Sequence, residues 1–283
     1  MKNRECKYQI KLLTAEDVQK ILNSLASSSA FGLDNLDTYI VKLISQHILH
    51  VVTFIVNLSI RTKRFPSTWK QVKIIPLHKK EDTLNPKNYQ PVAIVPVLSK
   101  VLERAVHNQM IQYLEENQMI HPNSHAYRQW HNTETALISM HDTWVRSVDR
   151  GESCGVVCID PSAAFDVVHH DLLLAKLELY GFGKDELAWV QSYLSGRSQC
   201  VCINGELSSL LALSHGLPQG SILGPLLFTM YANEFPKILN IEEKTDSQDS
   251  NNLDWPPYHS GEIVNFADDE TLSSSTRNSF QFV

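Results

Sequence analysis

The sequence predicts an α+β fold, and three observations predict it. Residues 263–272, Ile-Val-Asn-Phe-Ala-Asp-Asp-Glu-Thr-Leu, put two acids between two short apolar runs, the pattern of a tight β-hairpin. Val156-Val157-Cys158-Ile159 is a continuous apolar run that reads as a buried strand ending at Asp160. Other long segments, such as 99–118, repeat their apolar residues at helical spacing.

The elements follow in order. Thr14-Ala15-Glu16-Asp17 opens a helix over 14–27 with a capping-box-like start, and Val18, Ile21, Leu22 and Leu25 share its apolar face. A Ser/Gly turn leads to a second apolar helix near 36–59, which Phe65-Pro66 breaks. Trp69 to Leu77 alternates basic and apolar residues, as an exposed strand does. Asn85-Pro86 marks a loop, and Tyr89-Gln90-Pro91 marks a strand start. Val101, Leu102, Ala105, Met110, Ile111 and Leu114 give residues 99–118 one apolar face, and Asn132 caps a helix running to Val148. A helix over 169–180 stops at Gly181. Gln199 to Gly205 reads as a hairpin strand and turn, and Ile222 to Leu239 as an apolar helix with Pro225 in its first turns. Residues 243–260 are polar and Pro-containing, and read as a loop.

Composition sets bounds. The 283 residues are 43% hydrophobic, enough for one large domain or two small ones. No run approaches the roughly 18 apolar residues of a membrane helix. Met1-Lys2-Asn3-Arg4-Glu5-Cys6 lacks a secretory apolar core, so the expectation is an intracellular protein of cytoplasm or nucleus, not a secreted one. Five cysteines without zinc-ligand spacing read as buried strand thiols in a reducing compartment. The net charge is −6, but residues 241–270 alone carry nine acids and one lysine, leaving +2 for the rest. Arg61, Lys63, Arg64, Lys70, Lys73, Lys79 and Lys80 form a basic run that no acid interrupts. Such a run is either a solvated face or a phosphate-contacting patch.

Adjacent carboxylates at a hairpin tip repel, so Asp268 and Asp269 need solvent or a cation. If the strand ending at Asp160 neighbours that hairpin, three carboxylates converge. Such a cluster suits two Mg²⁺ ions roughly 3.5–4 Å apart in nucleotidyl-transfer chemistry. Spacing alone leaves a second reading open, with Asp160 capping a turn and the doublet in solvent.

Six segments, in order, resemble reverse transcriptases of LINE-type (non-LTR) retrotransposons of the jockey-like group. Cys158-Ile159-Asp160-Pro161-Ser162-Ala163-Ala164-Phe165-Asp166 resembles the first catalytic motif, Gly216-Leu217-Pro218-Gln219-Gly220-Ser221 the second, and Phe266-Ala267-Asp268-Asp269 the third. Asn88-Tyr89-Gln90-Pro91-Val92 resembles the fingers motif, Ala126-Tyr127-Arg128 with Thr133-Glu134-Thr135 the segment before the palm, and Phe31-Gly32-Leu33-Asp34 an N-terminal turn. The resemblance spans about residues 15–275.

The resemblance implies a right-hand polymerase: fingers and a palm whose antiparallel sheet, packed with helices, carries the acids. It implies an N-terminal helical extension over 1–60, a fingers-like region over 61–150 and a palm over 151–283. Asp160, Asp268 and Asp269 would be catalytic metal ligands, with Mg²⁺ as cofactor and Mn²⁺ as its alternative. Phe165 would be a steric gate against a ribose 2′-hydroxyl, although a core Phe suits its place too. Gln219 and Gly220 would shape the dNTP pocket. Lys79 or Lys80 would hold the triphosphate, and Arg128 would contact phosphate. The implied partners are an RNA template, a DNA primer and dNTP, without a membrane.

Five positions depart from the family pattern. Gln90 replaces an Arg, and an amide lacks the charge and the fork that bind phosphate. That loss would weaken dNTP binding by about 1.5–3 kcal/mol. Ala163 stands for a Lys and Pro161 for a Leu, Phe266 replaces a Tyr, and Ser29 replaces a Lys. The chain ends fourteen residues past Asp269, before the place of the family's thumb. This implies an incomplete palm with an unpaired sheet edge and exposed apolar surface. The expectation is a C-terminally truncated polymerase domain; the alternative is a non-catalytic nucleic-acid-binding remnant or a pseudogene product.

Overall fold

The computed structural model describes residues 7–28, 30–79, 82–159, 164–235, 260–266 and 269–276. Among the described residues helices mix with two sheets, and the contacts divide the chain into two compact units. The first joins residues 1–119 to 165–230, and the second joins 120–164 to 231–283.

The first unit is built around helices. Helix α1 (Ala15–Ser24) starts at Thr14, whose hydroxyl accepts from the Asp17 backbone N–H while Asp17 returns the bond. The helix expected near 36–59 is two helices, α2 (Thr38–Leu43) and α3 (Ser45–Thr62). Ile44, at φ −95° and ψ 5°, leaves the helical region and separates them. Lys63 ends α3 in the left-handed region, at φ 54°. Helix α4 (Val97–Glu116) buries Val101, Leu102, Ala105, Met110 and Leu114. Helices α6 (His170–Leu179) and α7 (Lys184–Leu194) add Leu173, Leu177, Trp189, Tyr193 and Leu194 to the same core. The Trp189 indole N–H donates to Ser59 Oγ at 3.1 Å, so the largest core side chain keeps its one polar atom satisfied.

Five strands complete this unit: β1 (Gln71–His78), β2 (Tyr89–Ile94), β4 (Arg197–Ile203), β5 (Glu206–Leu207) and β6 (Leu211–Leu213). β1 pairs antiparallel with β2 and parallel with β4, and β4 also pairs with β5 and β6. β1 was expected to be exposed. Because it lies between two strands, Val72, Lys73 and Ile74 are all buried. The Lys73 ammonium sits 4.1 Å from the Phe31 ring centroid, which offsets part of its loss of water.

The second unit holds a three-stranded antiparallel sheet ordered β3-β8-β7, from β3 (Ser153–Ile159), β7 (Ser260–Phe266) and β8 (Asp269–Thr276). Helix α5 (Thr133–Asp149) begins at Asn132, whose side-chain oxygen accepts from the Thr135 N–H. It packs Ala136, Met140 and Trp144 around Val264 of β7. The expectation of a buried β3 is corrected. Among the described residues β3 is an edge strand, and Val156, Val157 and Ile159 are 42%, 60% and 41% exposed. The cysteine expectation is corrected in part, because Cys200 is buried while Cys158 is exposed.

Helix α8 (Leu223–Ala232) occupies the first part of the helix expected to reach Leu239; residues 236–259 lie outside the described residues. Among the described residues no helix is long and apolar enough to cross a membrane.

Candidate active site

The sheet of the second unit frames the acidic residues. β3 runs antiparallel to β8 with Ile159 opposite Glu270, and β7 runs antiparallel to β8 with Phe266 opposite Asp269. Two residues, 267 and 268, connect β7 to β8, so the expected hairpin is present, with its strands reaching beyond 263–272 to Ser260 and Thr276. Asp269 is the first residue of β8. Asp160, which follows Ile159 in the chain, and Asp268 lie outside the described residues, as does Lys80. Among the described residues no group of three acids, histidines or cysteines could hold a metal. The three acids would offer only hard carboxylate oxygens, the donor type that suits Mg²⁺.

Arg128 is also in the second unit. One guanidinium nitrogen donates to the carbonyls of Ser124 at 3.0 Å and His121 at 3.3 Å, so it ties its own loop together. Asn233 accepts at 2.7 Å from the His121 N–H and secures the same loop.

The first unit carries the remaining candidates around the segment 214–223. Gly216 has φ 83°, and a Cβ there would lie 2.8 Å from the Asp166 carbonyl oxygen. The segment therefore runs against residues 165–168. Leu217 N–H donates to the Phe165 carbonyl at 2.8 Å and Gly216 N–H to the Val168 carbonyl at 2.9 Å. His170 Nε2 donates to the Gly216 carbonyl at 2.8 Å. Gln219 Nε2 donates to Asp166 Oδ1 at 3.2 Å, which fixes the direction of its amide. Gly220, at φ 95°, brings its backbone against β2; a Cβ there would lie 2.5 Å from the Ala93 carbonyl oxygen. Phe165 is half-buried and stacks on Phe228, with centroids 4.5 Å apart and planes 16° from parallel.

Sequence reasoning missed Glu103. This carboxylate is fully buried on α4. It accepts from the backbone N–H groups of Ile222 at 2.8 Å and Leu223 at 3.2 Å, and from Ser99 Oγ at 2.7 Å. It thereby holds the start of α8, where free N–H groups and the helix dipole favour a negative charge. Burial pushes the Tyr193 hydroxyl up from its ordinary value, and the nearby Glu103 carboxylate adds to that. A signal was available: an acid directly after Val101 and Leu102, two residues before Ala105, on a helix buried along that side.

The basic run does not form one continuous surface. Lys63 pairs with Asp185 at 2.8 Å, Lys70 donates to the Ser195 carbonyl at 3.0 Å, and Lys73 is buried over Phe31. Arg61, Arg64 and Lys79 are exposed. Lys79 follows β1, and its backbone N–H donates to the Asn88 carbonyl at 2.9 Å, closing the β1–β2 hairpin. Gln90 is exposed on β2 opposite Leu77.

Comparison with known proteins gives a consistent result. A family model described as "Reverse transcriptase (RNA-dependent DNA polymerase)" matches residues 77–282. The chain is 29% identical over 238 residues to the "RNA-directed DNA polymerase from mobile element jockey" of Drosophila melanogaster, covering 84% of this chain and 26% of that protein. It is 28% identical over 228 residues to the "Probable RNA-directed DNA polymerase from transposon BS" of the same species, covering 80% and 25%. A more distant match, 24% over 181 residues, is the "Retrovirus-related Pol polyprotein from type-1 retrotransposable element R2" of Popillia japonica, covering 63% and 25%. The chain spans about a quarter of the length of these curated relatives.

Proposed function

This chain belongs to the reverse transcriptase (RNA-dependent DNA polymerase) family, and on that premise we propose that it carries out RNA-directed DNA synthesis with Asp160, Asp268 and Asp269 as its catalytic acids. One observation carries the reading. The strand that precedes Asp160 and the hairpin that carries the doublet belong to one hydrogen-bonded sheet, with Ile159 opposite Glu270 and Phe266 opposite Asp269. Strands about a hundred residues apart are thereby neighbours, as a shared acidic site requires.

On this reading residues 1–60 are a helical extension, 61–150 the fingers-like region and 151–283 the palm. The three acids would hold Mg²⁺, or Mn²⁺, which when bound lowers the pKa of a primer 3′-hydroxyl and neutralises phosphate charge. The substrates would be an RNA template, a DNA primer and dNTP. The remaining roles belong to the chain's own side chains. Phe165, braced by Phe228, would present a ring edge that excludes a ribose 2′-hydroxyl. Gln219, oriented by Asp166, would offer its amide to the dNTP sugar, beside the backbone path that Gly220 permits. Lys79, exposed at the hairpin, would meet the triphosphate with Lys80. Arg128 would contact template or primer phosphate from the loop that it ties together.

A second reading, a nucleic-acid-binding remnant without catalysis, is favoured by Gln90. That exposed amide brings no charge to the hairpin where the family places an arginine.

Primer extension on an RNA template with Mg²⁺ tests the two readings. The first expects extension that Asp268→Asn lowers by about 10²–10³-fold or more, the scale of losing one group that stabilises transition-state charge. RNA retention in a gel shift without extension, unchanged by Asp268→Asn, would establish the second reading instead.

A further inference from the structure

Helix α3 turns an apolar stripe to solvent. Its core side carries Val52, Val56, Ser59 and Ile60, all buried. On the opposite side Ile44, Val51 and Leu58 recur every seven residues, with His47, Phe54 and Arg61 beside them at the same interval. All six are exposed, Val51 at 60% and Phe54 at 65%. This is the pattern of a coiled-coil seam, presented outward. Tyr39 and Leu43 of α2, one turn apart, add exposed apolar surface just before the start of α3. At roughly 150–200 Å² for each large side chain when fully exposed, these two and the four apolar residues of the seam present about 600 Å² of apolar surface. That is the upper end of the largest patch on an ordinary monomer, about 300–600 Å². It is also most of the about 800 Å² that each partner buries in a stable complex.

Beside Phe54 the same face is hollowed. His50, Thr53, Phe54, Asn57, Leu58 and Arg61 border a hollow of about 240 Å³, and among the described residues its lining is α3 alone. Phe54, Asn57, Leu58 and Arg61 stand at i, i+3, i+4 and i+7, the four corners of the hole that receives a knob from a facing helix. The volume is below the usual range for small-molecule sites. Two polar side chains of the lining are already engaged. The Thr53 hydroxyl donates to the Leu49 carbonyl at 2.8 Å, and the Asn57 amide exchanges two hydrogen bonds of 2.8 Å with the Leu13 backbone. The hollow therefore suits an apolar side chain.

Charge selects the partner. From Ser45 to Ile60 the helix carries no Asp, Glu, Lys or Arg. A partner helix with a charge on its seam would bury that charge unpaired, which is costly. The complement of an uncharged heptad seam is another uncharged heptad seam, and α3 is itself one. Arg61 sets the direction, because a parallel pair would place the two Arg61 side by side and an antiparallel pair keeps them apart. We propose that the chain associates with a second copy of itself through α3. The two helices run antiparallel about a two-fold axis, with Val51, Phe54 and Leu58 at the centre and a side chain of each copy in the hollow of the other.

Sedimentation velocity of the full chain over a concentration series tests the proposal. The expected result is a reversible monomer–dimer equilibrium with a Kd below about 10 µM. Phe54→Glu should weaken it at least about 100-fold, because like charges would meet in the dry centre of the interface. Val51→Glu should do the same. Both side chains point away from the core, so each variant should keep a cooperative melt, and Val51→Glu decides if Phe54→Glu does not. Val157→Thr, which acts on the β3 edge, should leave the dimer in place and remove only larger species. A chain that stays monomeric at about 100 µM, the result expected if the face takes a different protein, would overturn the proposal. So would a dimer that both glutamate variants leave unchanged, or one that Val157→Thr abolishes.

Discussion

At Gly220 the backbone runs at φ 95° with the Ala93 carbonyl oxygen 2.5 Å from where a Cβ would stand. The left-handed region alone costs an L-residue about 1–2 kcal/mol, and the carbonyl belongs to a paired strand that cannot move freely. Gly220→Ala is therefore expected to lower stability by more than about 2 kcal/mol in urea denaturation. Glu103 makes a second test at this scale. Glu103→Leu would bury the N–H groups of Ile222 and Leu223 and the Ser99 hydroxyl without an acceptor. Each orphaned group costs about 1–3 kcal/mol, so the loss should reach about 3 kcal/mol. Glu103→Gln keeps one acceptor oxygen and should lose about half as much by the same measurement. The Gly-rich motif was legible as a motif, and Gly220 as a place of close backbone approach. The approach found is to Ala93, a neighbour from another strand that no local pattern names. Glu103 went unread for a related reason: its partners lie about 120 residues away, at the start of α8.

Among the elements, those with strong local signals were readable. The Thr14 and Asn132 caps, the α4 face and the β7–β8 hairpin stand where their spacing put them. Helix α7 was not anticipated, although Gly183 followed by Lys-Asp-Glu is a usable start signal. Its buried residues are dominated by Trp189 and Tyr193, aromatics with weak helical preference. The exposure of β1 and of β3 was read in reverse. Periodicity reports which residues share a face, not whether a strand is central or at an edge. β1 lies between β2 and β4, while among the described residues β3 has a neighbour on one side only. The β3 edge has a measurable consequence, since an apolar exposed edge strand invites pairing with a second chain. Val157→Thr, at a position 60% exposed, should change stability by less than about 0.5 kcal/mol and reduce self-association in sedimentation velocity. Unchanged self-association would show that this edge is not the sticky surface.

For the whole molecule, family membership rests on a match over residues 77–282 and on relatives from mobile elements. Six short motifs in order made it legible in the sequence through their resemblance to the family. By contacts the chain falls into two units, each of which joins two distant segments. Such recombination of segments is set by tertiary packing and leaves no local mark. The central claim is that Asp160, Asp268 and Asp269 build one shared divalent-cation site. Replacing Mg²⁺ with Fe²⁺ and supplying ascorbate and peroxide generates hydroxyl radicals at the bound ion, which cut the backbone beside it. The account predicts fragments ending near residue 160 and near residue 268, formed together and suppressed together by excess Mg²⁺ or by Asp268→Asn. Cuts at only one of these places, or cuts indifferent to Asp268→Asn, would contradict it.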